Sequence, residues 1–523
     1  MKRLLGVLSL FIAFCGDEAS AQDRVIDRNP DRQTPGLTRI GESRSYYTYY
    51  YQNEKGGPKD KTRVIAEILS DSLITTHRVA FTLDKSAEIV HLSPTQDRQL
   101  FLITVDRAKS TRTGAFINAL GEVAQSKAEE GLTNGELAPE AYPFVFTPSA
   151  DDIMLVFPEV SKQGGYRIRS INKEFVEKWA LAYIPEKGNW KIDRIAQVGP
   201  TLLIVQKETA EDGLITYKVR GIEPGSGNIM FDMPLTDANK ALWYPTFIRS
   251  DMGRISIGGS VFNGGRTDVK QPDGLFFMTM SLMGDVQTRA SIAWSDVKAK
   301  GDKEISALFD GRSVILPRAA YFAPPQAHVV VAEVLLPSAG NAQPYSTQST
   351  DLIAFFTDRE GNYQHAVRIK KGSQDIASTY PVVAASDAIR LLDSTASLSY
   401  QGSIISSAGN AIVAYTDKIK DTTRLIFQPL DADDANKTSS IALSFPAAVK
   451  GGNKAEKITP ANIIIDPQGK VVFYGYNGPR MQVASRSITM KQAARRAGER
   501  PTPPAKDTDA PQPLPESHKN ANK

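Results

Sequence analysis

Histidine is the side chain most often used for proton transfer and metal binding near neutral pH. This chain has five: His77, His91, His328, His365 and His518. No two stand at a spacing such as H-x-x-x-H, which would bring both rings to one metal ion. The first four lie in or beside predicted strands. The sequence therefore favours structural histidines and predicts no histidine metal site.

A serine nucleophile would require a G-x-S-x-G elbow, and the glycine-rich strings around Ser226 and Ser260 lack it. Both strings are interpreted as turn or strand glycines. The paired carboxylates of a glycosidase leave no local signature either, although carboxylates from distant parts of a chain can converge in the fold. The sequence therefore names no catalytic residue and no cofactor, and it leaves an enzyme open.

Oxygen ligands are concentrated at one predicted turn, which contains Asp431, Asp433, Asp434 and Asn436. Calcium favours such clusters, but a calcium-binding loop usually adds a glycine at the sharp turn and a glutamate downstream, and this string has neither. We interpret the stretch as a solvated acidic turn and keep a calcium site as the weaker alternative.

The most unusual local string runs Tyr-Tyr-Thr-Tyr-Tyr-Tyr and supplies Tyr46, Tyr47, Tyr49 and Tyr50 as candidate binding residues. Exposed tyrosines stack on sugar rings or anchor protein interfaces, because they offer flat apolar area with a hydrogen-bonding tip. The same residues suit a strand whose rings pack across its neighbours. The structural interpretation is favoured, and the binding interpretation stays open.

A repeated unit of short strands must position all of these residues. One hairpin recurs, in which an apolar strand, a turn rich in Gly, Asn and Asp and a second strand follow one another. Its copies begin near Gly165, Gly213, Gly274 and Asp351. Further apolar strands separated by polar turns precede it, and the body shows no clear helical period. Units of this kind, returning about every 50 to 80 residues, predict an all-β protein with a single β-propeller.

The count of these units predicts seven blades, within a range of six to eight. Propellers commonly close their ring when a strand from one terminus completes the blade of the other, and residues 77–83 alternate well enough to supply that N-terminal strand. An eighth blade over residues 46–83 is the main alternative. Longer spacings in the fifth and sixth units predict insertions at residues 337–350 and 394–407.

The chain starts with Met-Lys-Arg and an apolar run that is too short to span a bilayer and suits the core of a signal peptide. Small residues before Gln22 predict cleavage after residue 21, and therefore a secreted or periplasmic protein. Cys15 offers the alternative of a lipid-anchored outer-membrane protein, although Phe14 fits the lipoprotein pattern poorly.

Composition narrows the partners further. The 62 basic and 58 acidic residues nearly cancel, so no basic surface for nucleic acid is expected. A mature chain that has lost Cys15 has no cysteine for disulfides or thiolate metal sites. No later segment approaches the uninterrupted apolar length of a membrane span, which predicts that there is no transmembrane helix.

These observations divide the chain into four segments: a signal peptide (1–21), an N-terminal segment with the tyrosine-rich strand (22–76), the propeller (77–490) and a proline-rich tail (491–523). The tail has almost no apolar side chains to bury. It is therefore predicted to be disordered.

In its blade pattern and leader the chain resembles secreted β-propeller proteins of uncharacterised function from Bacteroidota-type bacteria, over about residues 87–490. The resemblance transfers no catalytic residue. We expect an exported, non-enzymatic binding or scaffold protein that holds a protein or glycan of the cell envelope through loops on one propeller face. The alternative is a carbohydrate-active enzyme, a hydrolase or lyase, with its site at the central channel.

Overall fold

The computed structural model builds this chain from short antiparallel strands grouped into eight separate sheets. Seven of the sheets have four strands, and the other has a fifth strand paired with its third. The structure describes residues 23–27, 36–40, 45–52, 60–95, 97–149, 151–161, 163–185, 188–211, 213–237, 240–251, 253–300, 303–323, 327–337, 345–394, 399–405, 411–419, 422–430, 441–444, 459–465, 470–477 and 480–487.

We call each sheet a blade and number the blades in chain order. Blade 1 contains β2 (Thr38–Arg39), β3 (Tyr46–Gln52), β4 (Lys61–Leu69) and β5 (Thr75–Asp84). Blade 2 contains β6 (Ala87–Pro94), β7 (Leu100–Asp106), β8 (Thr111–Ile117) and β9 (Val123–Glu130). Blade 3 contains β10 (Phe144–Phe146), β11 (Ile153–Pro158), β12 (Tyr166–Ile171) and β13 (Glu177–Tyr183). Blade 4 contains β14 (Asn189–Val198), β15 (Thr201–Thr209), β16 (Ile215–Ile222) and β17 (Ile229–Pro234).

The second half of the ring follows the same order. Blade 5 contains β18 (Leu242–Asp251), β19 (Arg254–Phe262), β20 (Gly274–Ser281) and β21 (Val286–Ala293). Blade 6 contains β22 (Val314–Ala323), β23 (Ala327–Pro337), β24 (Tyr345–Thr357), β25 (Tyr363–Ile369) and the added β26 (Gln374–Ser378). Blade 7 contains β27 (Tyr400–Ile405), β28 (Ala411–Ile419), β29 (Thr422–Leu430) and β30 (Ile441–Ser444). Blade 8 contains β31 (Thr459–Ile465), β32 (Lys470–Asn477), β33 (Arg480–Ser487) and β1 (Asp23–Asp27).

The blades form a closed ring, because every blade shares a hydrophobic core with the next. The ring closes where Tyr46 and Tyr50 of β3 pack with Val472 of β32 and Val483 of β33. The middle strands are buried on both faces between neighbouring blades, which explains their continuous apolar runs. The fold is therefore a β-propeller with eight blades, at the upper end of the predicted range.

The strand that completes the ring is β1, which pairs antiparallel with β33 from Asp23 opposite Ala484 to Asp27 opposite Arg480. A closing N-terminal strand was predicted, but its assignment to residues 77–83 was wrong, since these residues lie in β5, the outermost strand of blade 1. Residues 46–83 form the extra blade that the sequence offered as an alternative. The strands that the structure describes before residue 77 thus belong to the ring.

The recurring hairpin is a five-residue turn between the third and fourth strands of a blade. Its first residue accepts a hydrogen bond from the backbone N–H four positions later, at distances of 2.8–3.1 Å. That residue is Asn118, Asn172, Ser281 or Asp358, types that bond to their own local backbone. The fourth position has a positive φ and is glycine in three of these turns, with Phe175 in the other. Local turn chemistry therefore produces the repeat seen in the sequence.

Two glycine substitutions test how closely the turns pack: Gly121 lies in one of these turns, and Gly213 lies in the turn between the second and third strands of blade 4. Gly121 and Gly213 have φ of +84° and +83°, but a Cβ on Gly121 would lie 1.9 Å from the carbonyl oxygen of Ala80, and one on Gly213 meets no described atom within 4 Å. We expect Gly213→Ala to lower the free energy of unfolding by about 1–2 kcal/mol. Gly121→Ala should cost about 1–3 kcal/mol more, because blade 2 must shift against blade 1. Urea unfolding measures both, and equal losses would contradict the close contact.

Helices interrupt the strand order only at blade-to-blade connections of the described chain. They are α1 (Trp294–Ala299), α2 (Lys303–Asp310) and α3 (Ala385–Ser394), with a short 3-10 turn at Pro139–Ala141. In α3, Ala385, Ala388, Ile389 and Leu392 recur with helical spacing and are buried. The carboxylate of Asp387 accepts the Ala384 N–H at 3.1 Å, which caps the helix start. The sequence showed no clear helical period, because the period of α3 extends over only 10 residues.

The two predicted insertions have different outcomes. In the first, residues 345–350 extend β24, while residues 338–344 lie outside the described residues. The second was misplaced, because residues 400–405 form β27, the innermost strand of blade 7. The inserted structure comes before it and consists of β26 and α3. Polar composition suggested a loop at residues 394–407, but polar residues also suit a strand that faces a wet channel.

Long connections gather on one face of the ring. Successive strands of a blade run in opposite directions, so the link from its second to its third strand and the link to the next blade open on the same side. We call this side the loop face. It carries the described parts of residues 131–143, 263–273, 294–313 and 370–399, which include α1, α2 and α3. The described turns of the opposite face are short, as at residues 118–122 and 282–285.

Candidate functional site

The innermost strand of each blade borders the central channel. In six of these strands one residue has no partner in the pairing with the second strand of the blade. This is a β-bulge, which redirects nearby side chains. The skipped residues are Val90, Asp193, Thr246, Arg318, Gln401 and Ala461. Three of the six follow a proline, which cannot donate to the ladder. Asp193 is the acidic member of this set, so the bulge of blade 4 brings a carboxylate to the channel.

A cavity of about 700 Å³ lies at this part of the channel. Its wall comes from the innermost strands of blades 2 to 5 and from the end of α3. The lining residues are His91, Pro143, Phe144, Val145, Phe146, Asp193, Arg194, Ile195, Ala196, Ile248 and Asp393. This volume is in the range of pockets that hold small ligands. The cavity is the candidate functional site.

Three charged side chains of the wall form one cluster, which we call the Asp193 cluster: Asp193, Arg194 and Asp393. The Nη2 atom of Arg194 lies 2.8 and 2.9 Å from the two carboxylate oxygens of Asp393. Its Nε donates to the carbonyl oxygen of Pro245 at 3.1 Å and lies 3.4 Å from Oδ2 of Asp193. Arg194 is therefore held in place by two blades and by α3.

The carboxylate of Asp193 is the least satisfied member of the cluster. Its side chain is 16% exposed, and its Oδ2 is fully buried and accepts no hydrogen bond from any described residue. Burial raises the pKa of Asp193 from its usual 3.8 to about 6, and Asp393 raises it further, while Arg194 and Lys207 oppose the rise. Asp193 therefore changes charge close to neutral pH.

Two tyrosines support the cluster from blades 4 and 5. The rings of Tyr217 and Tyr244 have centroids 5.0 Å apart, and the ammonium group of Lys207 lies 5.8 Å from the Tyr244 ring centre. Burial raises the pKa of both tyrosines, so their hydroxyls stay neutral. The apolar rings near Asp193 help to explain why the fold leaves its carboxylate poorly solvated, and Lys207 opposes the resulting rise in its pKa.

The helix that supplies Asp393 is a fixed wall of the site. The N–H groups of Ala385 and Ser386 donate to the carbonyl oxygens of Val269 and Thr267, at 2.8 and 3.2 Å. These contacts tie the start of α3 to the loop between β19 and β20, and its apolar face is buried in the core of blades 4 to 6. The Arg194–Asp393 ion pair holds the other end. The helix that carries Asp393 is therefore held at both of its ends.

The tyrosine-rich string forms β3 of blade 1, away from this cavity. Tyr46, Tyr49 and Tyr50 are 1%, 8% and 7% exposed, and they belong to the cores that blade 1 shares with its neighbours. Tyr47 is partly buried. This burial supports the structural interpretation of the string and leaves little ring surface for a ligand.

The other residues singled out in the sequence are separate from the Asp193 cluster, apart from one histidine. His77, His91, His328 and His365 all lie in strands, and His91 lines the cavity. Burial lowers the pKa of His91 to about 4, so its ring is neutral. Its Nε2 lies 2.8 Å from the hydroxyl of Ser93. Its ring therefore contributes no positive charge to the cavity at neutral pH.

Several sequence-based assignments lie outside the described residues. They are the possible calcium ligands Asp431, Asp433, Asp434 and Asn436, His518, the leader with Cys15, and the tail over residues 491–523. Within the part of the chain that the structure describes, no three His, Cys, Asp or Glu side chains are grouped closely enough to hold a metal ion. No helix there is long and apolar enough to cross a membrane.

Comparison with known proteins gives a likeness of fold alone. No family model matches the chain, and no curated protein matches it. Among solved structures it is similar to the WD40 domain of SCAP from fission yeast (9% identity, 89% of this chain, 98% of that one, TM-score 0.36). It is also similar to polysaccharide lyase Uly1 (9% identity, 86% and 89%, TM-score 0.36). At such values these likenesses carry no argument about function, and the assignment to the β-propellers rests on the strand pairing.

Proposed function

We propose that this protein is an exported, non-enzymatic binding propeller that holds a protein or glycan ligand at the channel cavity. The observation that carries the proposal is the Asp193 cluster: Asp193 lines a cavity of about 700 Å³, and no described residue donates a hydrogen bond to its carboxylate, whose Oδ2 is buried 3.4 Å from Nε of Arg194. A fold rarely keeps such a group without a use, because an unsatisfied buried carboxylate is destabilising. The nearby loop face offers further contacts to a larger ligand.

The pairing within the cluster supports binding over hydrolysis. A two-carboxylate glycosidase needs both acids free to flank the scissile bond. Here both oxygens of Asp393 lie within 2.9 Å of Arg194, so Asp393 is neutralised by a guanidinium group and held away from chemistry. Asp193 lies 3.4 Å from Nε of Arg194 but accepts no hydrogen bond from a described residue, so it remains available to a ligand.

One observation favours the carbohydrate-active enzyme as a second candidate. Burial raises the pKa of Asp193 to about 6, and a carboxyl group with a pKa in this range retains enough proton near neutral pH to act as a general acid. In that case Asp193 would protonate a leaving group in the channel, and an oligosaccharide product would be released.

Blocking the cavity is the test of the proposed function. The chain from residue 22 onward is screened against glycan and peptide libraries, and the affinity of each ligand is measured by calorimetry. Ala196→Trp puts an indole into the cavity wall, and we expect it to weaken binding at least about tenfold, the equivalent of about 1.4 kcal/mol. Ala119→Trp, in an exposed turn of blade 2, is the matched control and should have no effect.

Two outcomes would count against the proposal. Ligands that bind equally well to the Ala196→Trp variant would contradict a site in the channel. Release of shortened oligosaccharides by the protein, with loss of this activity in an Asp193→Asn variant, would establish the enzyme instead.

Export remains part of the proposal on the strength of the leader sequence. Cleavage after residue 21 would leave the closing strand β1 whole, because β1 begins at Asp23. A lipid anchor at Cys15 would leave it whole as well. Both routes are therefore compatible with a closed ring.

A further inference from the structure

We infer that the chemical group received at Asp193 is the protonated amine of an amino sugar. This inference rests on the proposed function, since it names the ligand class of the same cavity. It follows from three features of the wall: an acceptor without a donor, a surplus of negative charge and an exposed aromatic ring.

The missing donor is the first feature. No described residue donates a hydrogen bond to the carboxylate of Asp193, whose side chain is 16% exposed. Its Oδ2 is fully buried beside Arg194, so a ligand in the cavity reaches this carboxylate through Oδ1. The nearest donor, Nε of Arg194, is directed to the carbonyl oxygen of Pro245, and Nη2 of Arg194 is directed to Asp393. A ligand that satisfies Asp193 must therefore bring its own N–H or O–H groups.

Charge selects an amine among the possible donors. The charged residues that line the cavity are Asp193, Asp393 and Arg194, which leaves one negative charge when Asp193 is ionised. Lys207, Tyr217 and Tyr244 approach Asp193 from β15, β16 and β18, and both tyrosines are neutral. The ammonium group of Lys207 is placed over the Tyr244 ring rather than on the carboxylate. A cationic ligand group therefore gains both a charge partner and a hydrogen bond.

The shape and surface of the cavity select a sugar. A concave space of about 700 Å³, lined by four blades and a helix and open on one side, suits a compact ring better than an extended peptide. Phe144 lines this space and is 40% exposed, the largest apolar exposure of the wall. Aromatic rings of this kind stack on the apolar face of a pyranose. An amino sugar places its ring on Phe144 and its ammonium group on Asp193.

The experiment compares glucosamine with N-acetylglucosamine, which differ in the charge of the nitrogen, by calorimetry at pH 7 and pH 5. For the wild-type chain we expect glucosamine to bind about tenfold more tightly at pH 7. The preference should fall to within about twofold at pH 5, because Asp193 then carries a proton and the amine loses its partner. Asp193→Asn should abolish the preference at pH 7, and the matched control Asp268→Asn, on the surface, should keep it.

Each alternative result overturns the inference in a recognisable way. If the wild-type protein binds the two sugars equally well and the Ala196→Trp variant binds neither, recognition of an amine is refuted. The proposed channel site is then still supported. Asp193-dependent binding of n-butylamine without binding of glucosamine would refute the sugar. Binding of neither probe would refute the inference, and the library screen would then decide the proposed function by itself. Circular dichroism of each variant confirms that it is folded.

Discussion

Removal of residues 1–27 is expected to lower the free energy of unfolding by about 3–5 kcal/mol relative to removal of residues 1–21, because five paired positions of the ladder are lost at roughly 1 kcal/mol each. The shorter deletion keeps β1, and the longer one takes it away. Blade 8 then ends at β33, whose unpaired edge can pair with other chains. We therefore also expect the longer deletion to aggregate at concentrations where the shorter one stays monomeric.

Denaturant unfolding and light scattering on the two truncated chains measure these effects. A synthetic peptide that contains β1 provides the control, since it should add a strand to β33 and restore both stability and the monomer. Equal stability of the two truncations would show that the ring does not depend on this pairing. Failure of the peptide to rescue the longer deletion would indicate that its defect lies elsewhere.

The closing strand illustrates what the sequence can and cannot predict about this fold. The hairpin between the third and fourth strands was visible because Asn118, Asn172, Ser281 and Asp358 act on their own local backbone. The partner of β1 lies at the other end of the chain, and a five-residue edge strand needs no distinctive side chains to pair. The longer alternating run at residues 77–83 therefore gave the stronger signal for a closing strand, although it lies in β5 of blade 1.

The candidate site was hidden for a related reason. The sequence candidates were local strings, the tyrosines and the acidic turn, whereas the Asp193 cluster joins Arg194 to Asp393 across 199 positions of sequence. Neither aspartate stands in a motif. One signal was available: prolines inside apolar strands, such as Pro245 and Pro317, mark the bulged position of innermost strands. Aligning the units on this position would have identified Asp193 as its acidic member.

An inserted helix on the loop face forms part of the candidate site. The inserted α3 belongs to the link between blades 6 and 7, yet its apolar face is buried in the core of blades 4 to 6, and Asp393 near its end pairs with Arg194 of blade 4. A long connection on the loop face thus completes a cavity whose other walls are innermost strands. Under the proposed function, the specificity of the channel depends on one inserted helix together with the bulge of blade 4.

The pH dependence of stability tests whether Asp193 carries an unsatisfied charge. Its pKa is about 6 in the folded protein and 3.8 in the unfolded chain, so between these values the folded state holds a proton that the unfolded state has lost. Stability must then fall as the pH rises from about 4 to 6, by up to about 3 kcal/mol. Asp193→Asn removes this loss, and we expect the variant to gain about 2–3 kcal/mol on the wild-type protein between pH 4 and pH 7.

Guanidinium unfolding at pH 4 and pH 7 measures the free energy of unfolding of the variant and of the wild-type protein. The test is how much the difference between them changes with pH. Asp268→Asn is the control, since Asp268 is exposed and Arg266 lowers its pKa, so its variant should show no such gain. If the stability of Asp193→Asn instead falls relative to the wild-type protein as the pH rises, the fold stabilises the ionised carboxylate. The argument for a ligand group at Asp193 would then fail. A gain that disappears when glucosamine is added to the wild-type protein would connect the two tests, because a bound amine compensates the same poorly solvated carboxylate.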